Sequence, residues 1–164
     1  MIAKVSLWTP ERSSGIGIHR TYLNSDGSGK ADVTPNKMMW GAINGGSVQL
    51  EPAGEMLALA EGVETALSVY QMTGLPTWAG LSAGGIKGLV LPVLPLAQCI
   101  YIFADHDPVG LKAADEAANK WVYEGRTIKV IHPPDWGQDF NDVLMKGIEL
   151  KILRQKCVHP TKPL

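Results

Sequence analysis

The spacing of apolar residues changes character part-way along the chain. In the first 54 residues it alternates. Gly15-Ile16-Gly17-Ile18-His19-Arg20-Thr21-Tyr22-Leu23 has the two-residue period of a half-buried strand. Asn24-Ser25-Asp26-Gly27-Ser28-Gly29 follows with turn chemistry, because Asp-Gly and Gly positions tolerate positive φ. Met38 to Leu50 holds a second turn at Asn44-Gly45-Gly46 and a short strand, Ser47 to Leu50. This region, residues 1–54, is expected to form a small antiparallel sheet or meander.

From Met56 onward, short apolar runs alternate with segments of helical period. Met56 to Ala60 suits a buried strand, and a helix is expected from about Val63 to Met72. Its apolar face reads Val63, Ala66, Leu67 and Tyr70, and Gly74 and Pro76 close it from outside. Thr77 to Ala79 is the second strand, followed by Ser82-Ala83-Gly84-Gly85 and a short helix or turn. Cys99 to Ala104 is the third strand, continuously apolar as when both faces are covered. A helix is expected from about Pro108 to Tyr123, with Leu111, Ala114, Ala118, Trp121 and Val122 on one side and Gly125 ending it. Thr127 to His132 is the fourth strand, and a short helix begins near Asn141 or Asp142. Strands alternating with helices imply right-handed crossovers and a parallel sheet. The expected fold is therefore α/β: a Rossmann-like domain over residues 55–148 with a four-stranded, mainly parallel sheet flanked by helices, preceded by the β-rich region. Residues 149–164, rich in lysine and proline, read as a tail.

Composition narrows the classes without choosing among them. A chain of 164 residues, 45% hydrophobic and 19% charged, has the make-up of an ordinary soluble globular domain. Cys99 and Cys157 lack metal-ligand spacing, which excludes a zinc ribbon. Lys4 interrupts the short apolar start, and the longest apolar run, Gly88 to Cys99, carries prolines and is too short to span a membrane, so a cytoplasmic location is expected. The net charge is −1. Nucleic-acid binding through phosphates by this chain alone is expected to be weak and salt-sensitive.

The chemistry gathers at strand ends. Glu61 stands where the first parallel strand hands over to a helix, at the sheet edge where open α/β sheets place their ligands. Asp105 and Asp107 follow the third strand, two residues apart and so on the same side of an extended segment. Such a like-charged pair is offset by a hard divalent cation, which one or two carboxylates hold together with water and substrate phosphates. The competing reading is that the aspartates cap the next helix. Asp139 and Asp142, in Gly137-Gln138-Asp139-Phe140-Asn141-Asp142, repeat the choice after the fourth strand.

These three stretches resemble a Toprim domain: Leu57-Ala58-Leu59-Ala60-Glu61-Gly62-Val63-Glu64-Thr65, Ile102-Phe103-Ala104-Asp105-His106-Asp107, and Gly137 to Asp142. Bacterial-type primases, topoisomerases, old-type nucleases and recombination mediators share that domain. The likeness is nearest to the primase-like Toprim proteins of plasmids, phages and bacterial mobile elements, whose preceding region reads much like Gly17 to Leu23, Lys30-Ala31 and Gly45 to Leu50. It covers about residues 15 to 146. The resemblance implies Glu61 as general acid or base; Asp105, Asp107 and Asp139 as ligands of Mg²⁺ or Mn²⁺; and Glu64 and Asp142 as further metal-binding or supporting carboxylates. His19, Arg20, Lys30 and Lys37 are candidates to line a nucleic-acid or nucleotide groove, with a solvated β face as the plain alternative, and the resemblance implies a nucleotide contact through the small-residue loop containing Ser82 and Gly84, for which a merely tight connection is the plain alternative. His106 is not a fixed feature of the family and is expected in solvent. The implied activity is metal-dependent nucleotidyl transfer of DNA-primase type on a single-stranded DNA template with nucleoside triphosphates, with a helicase or other replication protein as a further partner. A Toprim nuclease and a non-catalytic DNA-binding or assembly module are the alternatives.

Overall fold

Strand β5 (Met56–Ala60) is central to the molecule because its two faces feed two cores. In this computed structural model, which describes residues 1–10 and 14–147, Ala58 and Ala60 of β5 point to one side and Leu57 and Leu59 to the other. The same alternation holds in β7 (Cys99–Phe103), with Cys99, Tyr101 and Phe103 on the first side and Ile100 and Ile102 on the second. Helices α1 (Val63–Thr73) and α4 (Phe140–Met145) cover the first face, through Val63, Ala66, Val69, Phe140 and Val143. Helices α2 (Ala83–Gly88) and α3 (Pro108–Tyr123) cover the second, through Ile86, Ala114, Ala117 and Trp121.

The sheet order is β4-β6-β5-β7-β8, with β6 at Thr77–Ala79 and β8 at Thr127–Ile131. The four expected strands are parallel, and a fifth, β4 (Val48–Gln49), joins them antiparallel to β6. The chain leaves β5 toward β6 and leaves β7 toward β8. The order therefore reverses between β5 and β7, which opens a crevice beyond their carboxyl ends. Strands β1 (Ile2–Leu7), β2 (Ser14–Thr21) and β3 (Lys37–Gly41) form a separate antiparallel sheet. It is tied to the main body by Ser6 and Ser47, whose backbone amides each donate to the other's carbonyl. Among the described residues, no helix is long and apolar enough to cross a membrane. The C-terminal segment read as a tail lies outside the described residues.

Two helical faces differ from expectation. On α1, Thr65, Ser68 and Val69 are buried with Val63 and Ala66, while Leu67 and Tyr70 are exposed. On α3, the buried row is Gly110, Ala113, Ala114, Ala117 and Trp121, with Val122 exposed and Leu111 and Ala118 only partly covered. Close approach decides both. A β-carbon on Gly110 would stand 2.6 Å from the Asp105 carbonyl oxygen, so only the small-residue side of α3 fits there. On α1, the Ser68 hydroxyl lies 3.1 Å from its Glu64 carbonyl acceptor and 3.2 Å from Asn141 Oδ1, linking the helix to α4.

Candidate functional site

The crevice between β5 and β7 brings Glu61 and Asp105 together. Ala60 and Phe103 are register partners, so the residues just beyond them leave the sheet side by side. Glu61, Phe103, Ala104, Asp105 and Gly110 line one recess of about 10 Å³, close to the room a single water needs. Leu81 holds Glu61 from the far side: its amide donates to the Glu61 carbonyl at 2.7 Å while its own backbone sits at φ +75°. A left-handed leucine costs on the order of 1 kcal/mol, and such strain persists where surrounding structure enforces it.

Half-buried Asp105 is the electrostatic focus. Its Oδ1 atom is buried without a hydrogen-bond partner among the described residues. Burial, then the Glu61, Asp139 and Asp107 carboxylates, push its pKa up to about 6, with Lys37 opposing. The Glu61 carboxyl is also raised, first by burial and then by Asp107; the Ala83 backbone amide and Lys37 oppose the rise. Thus the carboxylates that the sequence places after three different strands act on one another in space.

Asp107 and Asp139 are also helix caps. Asp107 Oδ1 accepts from the amides of Val109 at 2.9 Å and Gly110 at 2.7 Å. Asp139 Oδ1 accepts from Asn141 at 2.8 Å and Asp142 at 3.0 Å, and Asp142 Oδ2 accepts from the Asp139 amide at 3.1 Å, closing a capping box. Asp142 is thus occupied in fixing Asp139. Both caps use one carboxylate oxygen, which leaves the other able to take a second partner. Among the described residues, no three acidic, histidine or cysteine side chains converge closely enough to hold a metal ion between them. The donor set, with an orphaned Asp105 oxygen beside two singly used carboxylates, fits a hard cation that keeps waters and substrate oxygens in its shell.

Glu64 is engaged by lysines of the N-terminal region. It pairs with Lys37 at 3.2 Å and Lys30 at 3.7 Å. Burial works against its charge, but its own backbone amide, Lys37 and Lys30 outweigh that and hold its pKa below the usual value. Both lysines expected at a nucleic-acid groove are therefore engaged with α1. The Arg20 guanidinium lies over the Tyr22 ring, 5.5 Å from its centre, and 3.4 Å from Met38 Sδ. Ser82 caps α2 by accepting from the Gly85 amide at 3.0 Å, and a β-carbon on Gly85 would collide with the Gly80 carbonyl oxygen at 1.8 Å. That loop is a tight connection around Gly85. At Gly84 a β-carbon would find Ser82 Oγ at 3.9 Å, and this residue faces a cleft of about 400 Å³ that Asn44, Leu81 and Ser82 also line.

The sequence reading passed over the residues around His106. That ring is half-buried rather than free in solvent, packed 4.2 Å from the His132 ring and 5.0 Å from Trp136, centre to centre. The available signal was a tryptophan in a proline- and aspartate-bearing loop directly after a strand.

The Toprim domain family matches residues 56–149, the whole of the parallel sheet except β4. The chain belongs to the Toprim domain family. Ahead of the Toprim part, residues 1–50 match a family described as a domain of unknown function, DUF7146. A search of curated proteins finds no match. Among solved structures, the Toprim domain and its N-terminal region resemble a DNA primase domain from Pseudomonas aeruginosa, with 14% identity and a TM-score of 0.53, over 88% of this chain and 52% of that one. The E. coli primase catalytic core matches with 20% identity and a TM-score of 0.55, over 86% and 47%. A DnaG primase catalytic domain bound to single-stranded DNA matches with 20% identity and a TM-score of 0.52, over 86% and 52%. At these identities the likeness is one of fold, and the chain spans about half the length of each relative.

Proposed function

We propose that this Toprim chain is the catalytic part of a primase-type nucleotidyltransferase, joining nucleoside triphosphates on a single-stranded DNA template. The observation that carries the proposal is the convergence of Glu61 and Asp105 on one recess at the switch point of the sheet, with the Asp107 and Asp139 loops acting on Asp105. Asp105, Asp107 and Asp139 would hold Mg²⁺ or Mn²⁺. Such a cation, when bound, supplies charge neutralisation for phosphate oxygens.

The chain's own contribution is positioning and proton handling. Glu61 is held in a partly desolvated place that raises its proton affinity, which suits a group that accepts a proton from an attacking hydroxyl near neutral pH. Lys37, paired with Glu64, acts electrostatically on both Glu61 and Asp105, and in this reading it helps to orient an incoming phosphate. The resemblance to primase cores and the Toprim membership support this reading. A helicase or other replication protein is a further partner in this reading.

The test is synthesis on a single-stranded template with labelled ribonucleotides and Mg²⁺, run beside a plasmid-nicking control. Template-dependent products are expected, and Glu61→Gln or Asp105→Asn should lower their rate by about 10²- to 10⁴-fold with the fold intact by circular dichroism. Nicking without nucleotide incorporation would replace the proposal with a Toprim nuclease. Full synthesis by both variants would remove these residues from the chemistry.

A further inference from the structure

On the loops that carry the carboxylates stands a row of three rings that the proposed chemistry does not use. His106 lies between Asp105 and Asp107, His132 comes directly after β8, and Trp136 sits three residues before Asp139. The His106 ring is tilted 38° against His132, and the Trp136 ring meets His106 edge-on at 63°. Two backbone bonds lock the loops that carry them: the His106 amide to the Gln138 carbonyl at 2.9 Å, and the Gly137 amide to the His106 carbonyl at 2.8 Å. Asp135 steadies the Trp136 loop, accepting from Gln138 Nε2 at 2.9 Å and pairing with Lys146 at 3.6 Å. Trp136 nevertheless remains 64% exposed. The indole is seated against the His106 ring, which in turn packs on His132, and among the described residues most of its surface stays open to solvent.

We propose that Trp136, braced by His106, which itself packs on His132, is a stacking platform for a nucleobase whose phosphates lie toward Asp105, Asp107 and Asp139. This rests on the reading of those carboxylates as a phosphate-directed site. Stacking suits the place because it asks for no charge. The surrounding aspartates repel phosphate unless a cation intervenes, whereas every base presents a π-face. The rings also make attachment tolerant of base identity, as copying a template requires. The base belongs either to the incoming nucleotide or to a nucleic-acid strand.

Binding measurements on the full chain separate these sources. ATP with Mg²⁺ is one arm, a labelled single-stranded oligodeoxynucleotide the second, and inorganic tripolyphosphate with Mg²⁺ the base-free control. Trp136→Ala is expected to weaken ATP or the oligonucleotide by at least about fivefold, Trp136→Phe to stay within about twofold of wild type, and tripolyphosphate to be unchanged in both. Loss confined to ATP assigns the platform to the incoming nucleotide; loss confined to the oligonucleotide assigns it to a strand. Quenching of tryptophan fluorescence on binding should be present in wild type and diminished in Trp136→Phe even though affinity is kept. The platform is overturned if Trp136→Ala binds both base-bearing ligands as wild type does, if it loses tripolyphosphate equally, or if wild type binds neither ligand. Glu61→Gln separates the two proposals, since it should lower synthesis by about 10²- to 10⁴-fold while keeping the Trp136-dependent affinity. A wild-type chain that stacks bases but makes no primer would sink the activity and leave the platform standing.

Discussion

Asp105 occupies a place where a negative charge is unfavourable, and this makes its behaviour with pH diagnostic. Its pKa stands near 6 when folded, against about 3.8 for an ordinary aspartate, so the folded chain holds the proton more tightly than the unfolded one. The contribution to stability is therefore present below about pH 4 and is lost as pH rises through about 6. In chelator, Asp105→Asn should melt higher than wild type at pH 8, by about 1 kcal/mol after allowing for partial exposure, or about 3 °C. The difference should vanish near pH 4. Adding Mg²⁺ should raise the wild-type melting temperature and leave the variant's unchanged; scanning calorimetry across the pH range checks both. Glu61 and Asp105 were legible in the sequence because each stands at the end of a short apolar run suited to a buried strand, and Asp139 because it lies in the loop between β8 and the next helix. The atom-level division of the aspartates' capping was not. Whether an aspartate caps a helix or faces a ligand depends on which oxygen meets which amide, and for Asp107 and Asp139 capping holds for one oxygen while the other remains available.

At the scale of elements, the start of α3 is pressed onto the loop it follows. Gly110 sits against the Asp105 backbone closely enough that a β-carbon would meet the carbonyl oxygen at 2.6 Å and the amide nitrogen at 3.2 Å. Gly110→Ala must push α3 and the Asp105 loop apart. We expect a loss of about 1–3 kcal/mol in denaturant unfolding, with Mg²⁺-induced stabilisation reduced as well, because the carboxylate moves with the loop. An alanine in exposed Gly84, where only Ser82 Oγ comes within 4 Å, should be tolerated and serves as the control. This contact also explains why the helical faces were misjudged from sequence. Periodicity finds the most hydrophobic row, which for α1 included Leu67 and Tyr70. Packing against a sheet face selects the row that can come nearest, so Gly110 and Ala113 on α3, and Thr65 and Ser68 on α1, are inside instead. Strand β4 was legible as a strand, but not as a member of this sheet. A two-residue strand pairing with residues some thirty positions later leaves no local trace of its partner.

The whole molecule is held in register by contacts between the antiparallel sheet region and the Toprim body. Glu64 on α1 receives Lys30 and Lys37 from the N-terminal part. Its pKa is lowered on folding, so its contribution is present above about pH 4.5 and lost as pH falls through the lowered folded value. Glu64→Gln should cost about 0.5–1 kcal/mol at pH 7 and little at pH 3, and should speed hydrogen exchange between Tyr22 and Lys37 while α3 stays protected. Thermal melts at the two pH values, with exchange followed by mass spectrometry, decide it.

The place of β4 bears on how this protein can be taken apart. The parallel strands begin at Met56, and a fragment starting there would keep Glu61, Asp105 and Asp139. It would also strip β6 of its outer neighbour, leaving Thr77, Trp78 and Ala79 with unpaired backbone along one side and removing the Glu51 carbonyl that accepts from the Trp78 indole at 2.9 Å. A bare apolar edge of that kind invites another strand. The shortest fragment that behaves as a monomer should begin ahead of Ser47, and transplanting the acidic loops into another protein would have to carry this outer strand with them.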